Sequence, residues 1–327
     1  MKRVNDLFEK ICDYDNLKLA LINAQKGKKN YKEVQLVNET PDYFIENLHK
    51  LLVNKEFKNS PYFVFLKKDR GKTREIYKLP FFPDRILHHA ILQILEPIWK
   101  KTLINDTYQS IKGRGIHYGM QRVKKAIQAT DAKYCLKLDI SKYYPSIANE
   151  ILKQIIRKKI KCKDTLWLLD EIIDSTKGIP IGNYLSQYFG NLYLTYFDHY
   201  VKEVMQIKNY FRYCDDIVML SNDKTTLWKT FAKIKLYLCD LKLTVKSNYQ
   251  IFPICKRRLD FLGFKFDNVR VYLRKSIANN FKFKINHLDS IYKNNIAAIN
   301  SLSSYFGWIK ISEAYILWNH NLNKLTT

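Results

Sequence analysis

The feature that most constrains how this chain folds is an order of segments between residues 133 and 246. KYCLKLDI (133–140) reads as a strand, and helical apolar spacing follows to about residue 160, to about 175 and over 183–203. FRYCDDIVML (211–220) reads as strand, tight turn, strand; 224–240 returns to helical spacing, and 242–246 reads as a further strand. Strand, helix, strand pair, helix, strand is the order of a split βαβ sheet with helices packed on one face. That layout serves many functions, so the chemistry must be sought in particular residues.

The turn of FRYCDDIVML carries two adjacent acids, Asp215 and Asp216. Aspartate is a common turn former, so the pair reads either as a solvated hairpin tip or as a cation site, where a hard divalent ion relieves the repulsion between close carboxylates. KYCLKLDI places a third acid, Asp139, near the strand's end. If the two segments neighbour each other in the sheet, the three carboxylates meet at one edge. Two magnesium ions about 3.5–4 Å apart would satisfy them and would suit an in-line phosphoryl displacement with pyrophosphate as leaving group.

Charge bears on the partner. With 56 Lys and Arg against 31 Asp and Glu, the formal net charge is +25, spread along the whole chain. Such a surplus implies a polyanion, with nucleic acid first. No apolar run approaches the ~18 residues that span a bilayer, so a membrane is not expected. The amino terminus interrupts its apolar positions with charges and is no secretory signal. Six dispersed cysteines without zinc spacing imply a reduced, cytoplasmic compartment. Aromatic residues beside lysines, as in SKYYPSI and FKFKIN, suit a groove that meets phosphates and bases, although such residues are also ordinary core.

Elsewhere, 3–25, 41–54 and 83–100 read as helices, and PYFVFLKKDRGKTREIYKL (61–79) reads as a hairpin turning at Gly71. A loop with Gly113 and Gly115 leads into a helix with a basic face, a second hairpin is expected near 259–273, and the final fifty-odd residues read as helical. No repeat or Pro/Gly/Ser linker divides the chain.

Four stretches in order, LKLDISKYYPSI, GIPIGNYLSQYFGNLYL, FRYCDDIVML and RLDFLGFKF, resemble the palm motifs of reverse transcriptases. The resemblance covers residue 60 to the end and implies an α+β right-hand polymerase of fingers, palm and thumb, with a ferredoxin-like split βαβ palm and a short helical thumb. It implies an N-terminal region and fingers over 1–133, a palm over 134–262 with a helical fingers segment about 147–176, and a primer-grip end and thumb over 263–327. It further implies Asp139, Asp215 and Asp216 as catalytic metal ligands, joined by the backbone carbonyl of Ile140, for two Mg2+ ions that Mn2+ can replace. Lys72, Arg74, Tyr144, Ile181, Gly182 and Gln187 fall at positions that meet the incoming dNTP. Tyr144, five residues past Asp139, stands where the family keeps a ring that excludes a ribose 2′-hydroxyl. Phe261, Leu262, Gly263 and Phe264 match the primer grip, and Lys246 is a candidate general acid for pyrophosphate. The implied partners are template RNA, a DNA or RNA primer, dNTPs and the cDNA product.

Most group II intron-like enzymes read PQG, three residues, then SP in the loop and helix under the nucleotide. Here Ile181 replaces the glutamine and Gln187 the proline. That form resembles reverse transcriptases of diversity-generating retroelements, bacterial or phage-encoded enzymes that copy a template-repeat RNA and misincorporate opposite its adenines. The segment SLSSYFGWIKISEAYILW (301–318) is similar to their short thumb. Their expected partner is a small basic accessory protein, a pentamer of helical bundles. About sixty residues follow the primer-grip hairpin, too few for a thumb with a maturase, endonuclease or RNase H domain. A phage-defence or retron-like reverse transcriptase and a non-catalytic RNA-binding protein are the alternatives; the presence of all three acids, Tyr144 and Arg74 argues against the last.

Overall fold

The computed structural model describes residues 3–69, 71–129, 132–286, 302–305, 307–309 and 312. They form two compact units: residues 1–104, 141–199 and 237–244 in the first, and 105–140, 200–236 and 245–327 in the second.

The first unit is mainly helical. The expected helix over 3–25 is broken at Asp13, whose carboxylate accepts hydrogen bonds from the N–H groups of Asp15 and Asn16 and so starts a new helix, Tyr14–Ala24, after Phe8–Cys12. Lys32–Glu39 and Pro41–Val53 follow, the latter with proline in its first turn, where a missing N–H costs nothing. Strands β1 (Phe63–Asp69) and β2 (Lys72–Lys78) pair antiparallel as the expected hairpin, with Gly71 at φ 78° in the turn. The helix expected over 83–100 runs from Ile86 to Lys100. Tyr143–Ser146, Asn149–Arg157, Lys163–Ile173, Ser186–Tyr193 and Thr195–His199 complete the longer elements of this unit.

The second unit is built on a four-stranded antiparallel sheet. Its strands are β3 (Tyr134–Asp139), β4 (Tyr210–Tyr213), β5 (Asp216–Ser221) and β6 (Gln250–Pro253), in the order β4-β5-β3-β6. This is the split βαβ order, with β3 central beside the hairpin's second strand. The fourth strand lies later than expected. Residues 242–246 form no strand; Val245 makes only an isolated bridge to Ile140, and β6 pairs with β3 from Tyr134↔Pro253 to Lys137↔Gln250. Leu243, Thr244 and Val245 alternate like a strand, but Lys242 stands at φ 58°, which no extended strand accommodates.

Ile217 to Leu220 of β5 are all buried, so both faces of the sheet are covered and the strand reads as an unbroken apolar run. On one side Met120, Val123 and Ile127 of the helix Ile116–Ala129 pack with Cys135, Phe211, Val218 and Phe252. Helix Lys224–Asp240 buries Leu227, Phe231, Ile234 and Leu238, one stripe at helical spacing. A smaller antiparallel sheet follows, β7 (Leu259–Phe261), β8 (Phe264–Phe266) and β9 (Val271–Leu273), then the helix Lys275–Asn286. Of the expected thumb segment 301–318, residues 302–305 and 307–309 are helical and most of the rest lies outside the described residues. None of the described helices is long and apolar enough to cross a membrane.

One packing decision has a pH signature. His88 and His89 are both buried in the helix Ile86–Lys100, and neither Nε2 has a hydrogen-bond partner. Burial disfavours the imidazolium and pushes His88 down to about 3 and His89 to about 4. An unfolded histidine takes up a proton near pH 6.5, so stability is retained above that value and lost as pH falls towards 4. Linkage puts the loss at about 2 kcal/mol per histidine by pH 5. Thermal unfolding between pH 7 and pH 5 should therefore show a falling midpoint, and His88→Leu should reduce the slope.

Candidate active site

The register of the main sheet brings the acids together. Asp139, the last residue of β3, stands directly opposite Asp216, the first residue of β5, and Asp215 occupies the turn before it. Tyr213 pairs with Asp216 to close the hairpin, leaving Cys214 and Asp215 as a two-residue turn. Cys214 sits at φ 57°, a left-handed conformation that costs a non-glycine residue roughly 1–2 kcal/mol. Arg212 braces it: this arginine is fully buried, and its Nη1 donates to the Cys214 carbonyl at 3.2 Å. A charged residue inside an apolar strand was the available signal for Arg212, and reading it as ordinary alternation hides its role.

The site's electrostatics follow from burial. Asp216 is pushed up to about 6 by desolvation first, with Asp139 and Asp215 adding to the rise and Lys137 opposing it. Asp215 is also raised, by burial and then by Asp139, against hydrogen bonding and the charge of Lys246. Two lysines answer this negative charge. Lys246 Nζ is ion-paired with Asp139 Oδ1, while Lys137 Nζ lies 3.4 Å from Asp216 Oδ2 and also donates to the Asp260 carbonyl. Lys137 was not singled out from sequence, where it is one more lysine in a basic chain. Arg274 Nε donates to Asp260 Oδ1 at 2.8 Å, and a polar cavity of about 290 Å³ opens among Lys137, Asp139, Gln250, Arg258 and Arg274.

Whether these acids suit a cation can be judged from the atoms left over. Asp216 Oδ1 is buried and has no hydrogen-bond partner, an anionic oxygen that costs free energy until something positive meets it. The surrounding donors are all carboxylate oxygens, the set preferred by hard divalent ions. Among the described residues, however, no three metal-ligating side chains stand close enough to form a finished cage. Lys246 holds Asp139 in its place. The set fits a metal that enters with its own ligands rather than one locked in by protein alone.

The residues expected around the incoming nucleotide gather in the first unit. Tyr144 follows Lys142, which is left-handed at φ 44°, and its ring lies over Gly190, where an added Cβ would come within 3.1 Å of Tyr144 Cε1. The loop carrying Ile181 and Gly182 is fastened twice: Ile179 N–H donates to the Tyr144 carbonyl at 2.9 Å, and Tyr77 N–H of β2 donates to the Ile181 carbonyl at 2.8 Å. Asn183 Oδ1 accepts from Leu185 N–H, and Ser186 Oγ donates to the Pro180 carbonyl, closing the loop onto the helix Ser186–Tyr193. Gln187 is exposed on that helix, Arg74 is exposed on β2 opposite Lys67, and Lys72 opens β2.

At the primer-grip position the turn between β7 and β8 consists of Leu262 at φ 55° and Gly263 at φ 84°, the positive-φ pair of a type I′ hairpin. Phe261, Leu262 and Phe264 spend their side chains on the core. A Cβ at Gly263 would meet the Trp308 ring at 2.5 Å, so glycine here admits that indole.

Known proteins share this geometry. The family described as reverse transcriptase (RNA-dependent DNA polymerase) matches residues 65–266, and the chain belongs to that family. Protein YkfC of Escherichia coli (strain K12) is 27% identical over 156 residues, 43% of this chain and 40% of that protein. The structure of apo telomerase from Candida tropicalis aligns with a TM-score of 0.52 at 15% identity, covering 86% of this chain and 64% of that one. Telomerase from Candida tropicalis in complex with the TWJ fragment of telomeric RNA gives 0.51 at 13%, covering 83% and 58%. The fold is thus the α+β right-hand polymerase fold, and the chain spans less than two thirds of each of these relatives.

The fastened loop yields a test. Gly182 lies at φ 117°, and an added Cβ would stand 2.6 Å from the Tyr77 carbonyl oxygen. Gly182→Ala should cost about 2–4 kcal/mol through backbone strain and displacement of the hairpin strand, read as a lowered midpoint in urea unfolding.

Proposed function

We propose that this protein is an RNA-directed DNA polymerase whose chemistry is carried by Asp139, Asp215 and Asp216. The observation that carries the proposal is the register pair Asp139↔Asp216 with the unpartnered Asp216 Oδ1 beside it, on a chain of the reverse transcriptase family. Asp139, Asp215 and Asp216, with the Ile140 carbonyl, would hold two Mg2+ or Mn2+ ions, which when bound activate a primer 3′-hydroxyl and neutralise charge on the pyrophosphate leaving group. The residues themselves position and exchange charge. Lys137 holds Asp216 towards the sheet edge, and Lys246 neutralises Asp139, leaves it as cations enter, and offers its Nζ proton to the leaving pyrophosphate. Arg74 and Lys72 on the hairpin bind the triphosphate as cations, and the Tyr144 ring, backed by Gly190, screens the sugar. The +25 charge suits template RNA, primer and cDNA held by phosphate contacts.

Within the family we place the chain with the diversity-generating retroelement enzymes, on Ile181 and Gln187. The reading entails a template-repeat RNA, error-prone copying of its adenines, a pentameric basic accessory protein and a cytoplasmic setting, with fingers, palm and thumb over 1–133, 134–262 and 263–327. A side-chain amide at 181 would hydrogen-bond groups around the incoming nucleotide and penalise a misaligned pair by leaving a polar partner unmet. Isoleucine offers only packing, so a mismatch costs less at phosphoryl transfer.

Asp139→Asn or Asp215→Asn should abolish Mg2+-dependent primer extension while RNA affinity, set by lysine and arginine contacts, stays within about twofold; near-normal extension by either variant overturns the assignment. Ile181→Gln should lower misincorporation opposite template adenine without a matching fall in correct insertion. Single-nucleotide insertion kinetics on RNA templates differing at one base measure this, and an unchanged error ratio removes isoleucine as a determinant of fidelity.

A further inference from the structure

The largest well-formed cavity of the first unit lies away from any acidic cluster. It has about 400 Å³ of space, inside the ~300–1,000 Å³ range of small-ligand sites, and is bounded by the N-terminal helices, the β1/β2 hairpin and the Gly182–Tyr184 segment. Three properties define what would fit.

The first is charge: Lys28, Lys67, Lys78 and Arg85 line it against a single acid, Glu33. Glu33 is already engaged, with Oε1 2.6 Å from Lys78 Nζ and Oε2 accepting from Phe81 N–H at 3.0 Å, so the cavity keeps a positive excess. The second is flat apolar surface. Tyr184 is stacked on His89 with ring centres 4.0 Å apart and has the Arg85 guanidinium 5.8 Å from its own centre, while Tyr31 carries Lys28 Nζ at 4.9 Å. Both tyrosines keep exposed surface, 40% at Tyr184 and 52% at Tyr31, so a further ring has faces on which to stack. The third is an unmet polar atom. His88 lines the cavity, is 99% buried by its 1% exposure, and its Nε2 has no hydrogen-bond partner. Burial keeps it neutral, so one ring nitrogen donates and the other accepts.

An anion with a planar, polar-edged ring answers all three at once. We infer that this cavity binds one unstacked nucleotide, its base against Tyr31 or Tyr184 with an edge reaching His88, and its phosphate among Lys28, Lys67 and Arg85. The nucleotide is either one residue of a single-stranded RNA or a free nucleoside phosphate. Because the buried imidazole presents a fixed polar atom, the pocket favours some bases over others, as sites built to meet a polar edge do.

The test uses the full chain in a chelating buffer without primer, conditions under which the aspartate edge cannot assemble an incoming triphosphate with its cations. Its failure and that of the polymerase reading are thereby separate. A short single-stranded RNA carrying one photoreactive thiouridine, and each of the four nucleoside monophosphates with a photoreactive base, are titrated and crosslinked in parallel. Crosslinks from the RNA that map to residues 28–33, 85–88 or 184 assign a strand nucleotide; crosslinks there from monophosphates, competed by unlabelled monophosphate, assign a free nucleotide. Either result upholds the site. Lys28→Ala with Tyr31→Ala, both on the surface, should weaken the bound species by about tenfold, the scale of a lost stacking platform, and His88→Leu should erase the preference among bases. Absence of crosslinks at these positions with both probes, or unchanged affinity in the surface double variant, overturns the inference.

Discussion

Two carboxylates facing each other across neighbouring strands are the constraint on which the second unit turns. Asp139 and Asp216 are register partners in a sheet whose faces are both covered, so their charges have little water to share. Left alone, such a pair would protonate or separate. Here the burden is met from several directions: Lys246 against Asp139, Lys137 against Asp216, and the buried Arg212 holding the Cys214 turn that presents Asp215. The arrangement is complete enough to persist and incomplete enough to leave Asp216 Oδ1 unmet. An edge in that condition is poised for cations, whereas a fully neutralised one would resist them.

The same tension explains why the small sheet matters to the large one. Lys137 divides its ammonium between Asp216 and the Asp260 carbonyl, and Asp260 in turn accepts from Arg274. The hairpin that the family uses to hold a primer is thus tied by hydrogen bonds to the lysine that steadies an acid. Its turn residues are held as firmly from the other side, Leu262 packed against Gly119 and Gly263 against Trp308. Positive φ at a leucine is tolerable because burial of the side chain offsets the backbone strain.

In the first unit the governing device is backbone, not charge. A loop of short polar residues is fastened through Ile179 to the Tyr144 carbonyl and through Ile181 to Tyr77, so the segment under the nucleotide and the fingers hairpin share one set of hydrogen bonds. Family membership makes sense of this economy, since the loop must present a surface to a substrate while its own amides are satisfied within the protein.

The order of elements, the turn at Gly71, the helix 224–240 and the acids of the YCDD turn were legible in the sequence because each is a local matter of periodicity and turn chemistry. Breaks that depend on one side chain were less so: Asp13 divides a helix by capping, and Lys242 denies 242–246 the extended backbone its alternation suggests. The site divides along the same line. Residue types and spacing alone named Asp139, Asp215 and Asp216, since only acids at strand ends serve that chemistry. Which lysine answers which acid, that Arg212 supports a turn from inside the core, and that His88 lines a cavity with an unmet nitrogen were decided by tertiary structure. The physical reason is that a charge's partner is fixed by strand register and packing across more than a hundred residues, as between Asp139 and Lys246, and no local pattern encodes a distance of that kind.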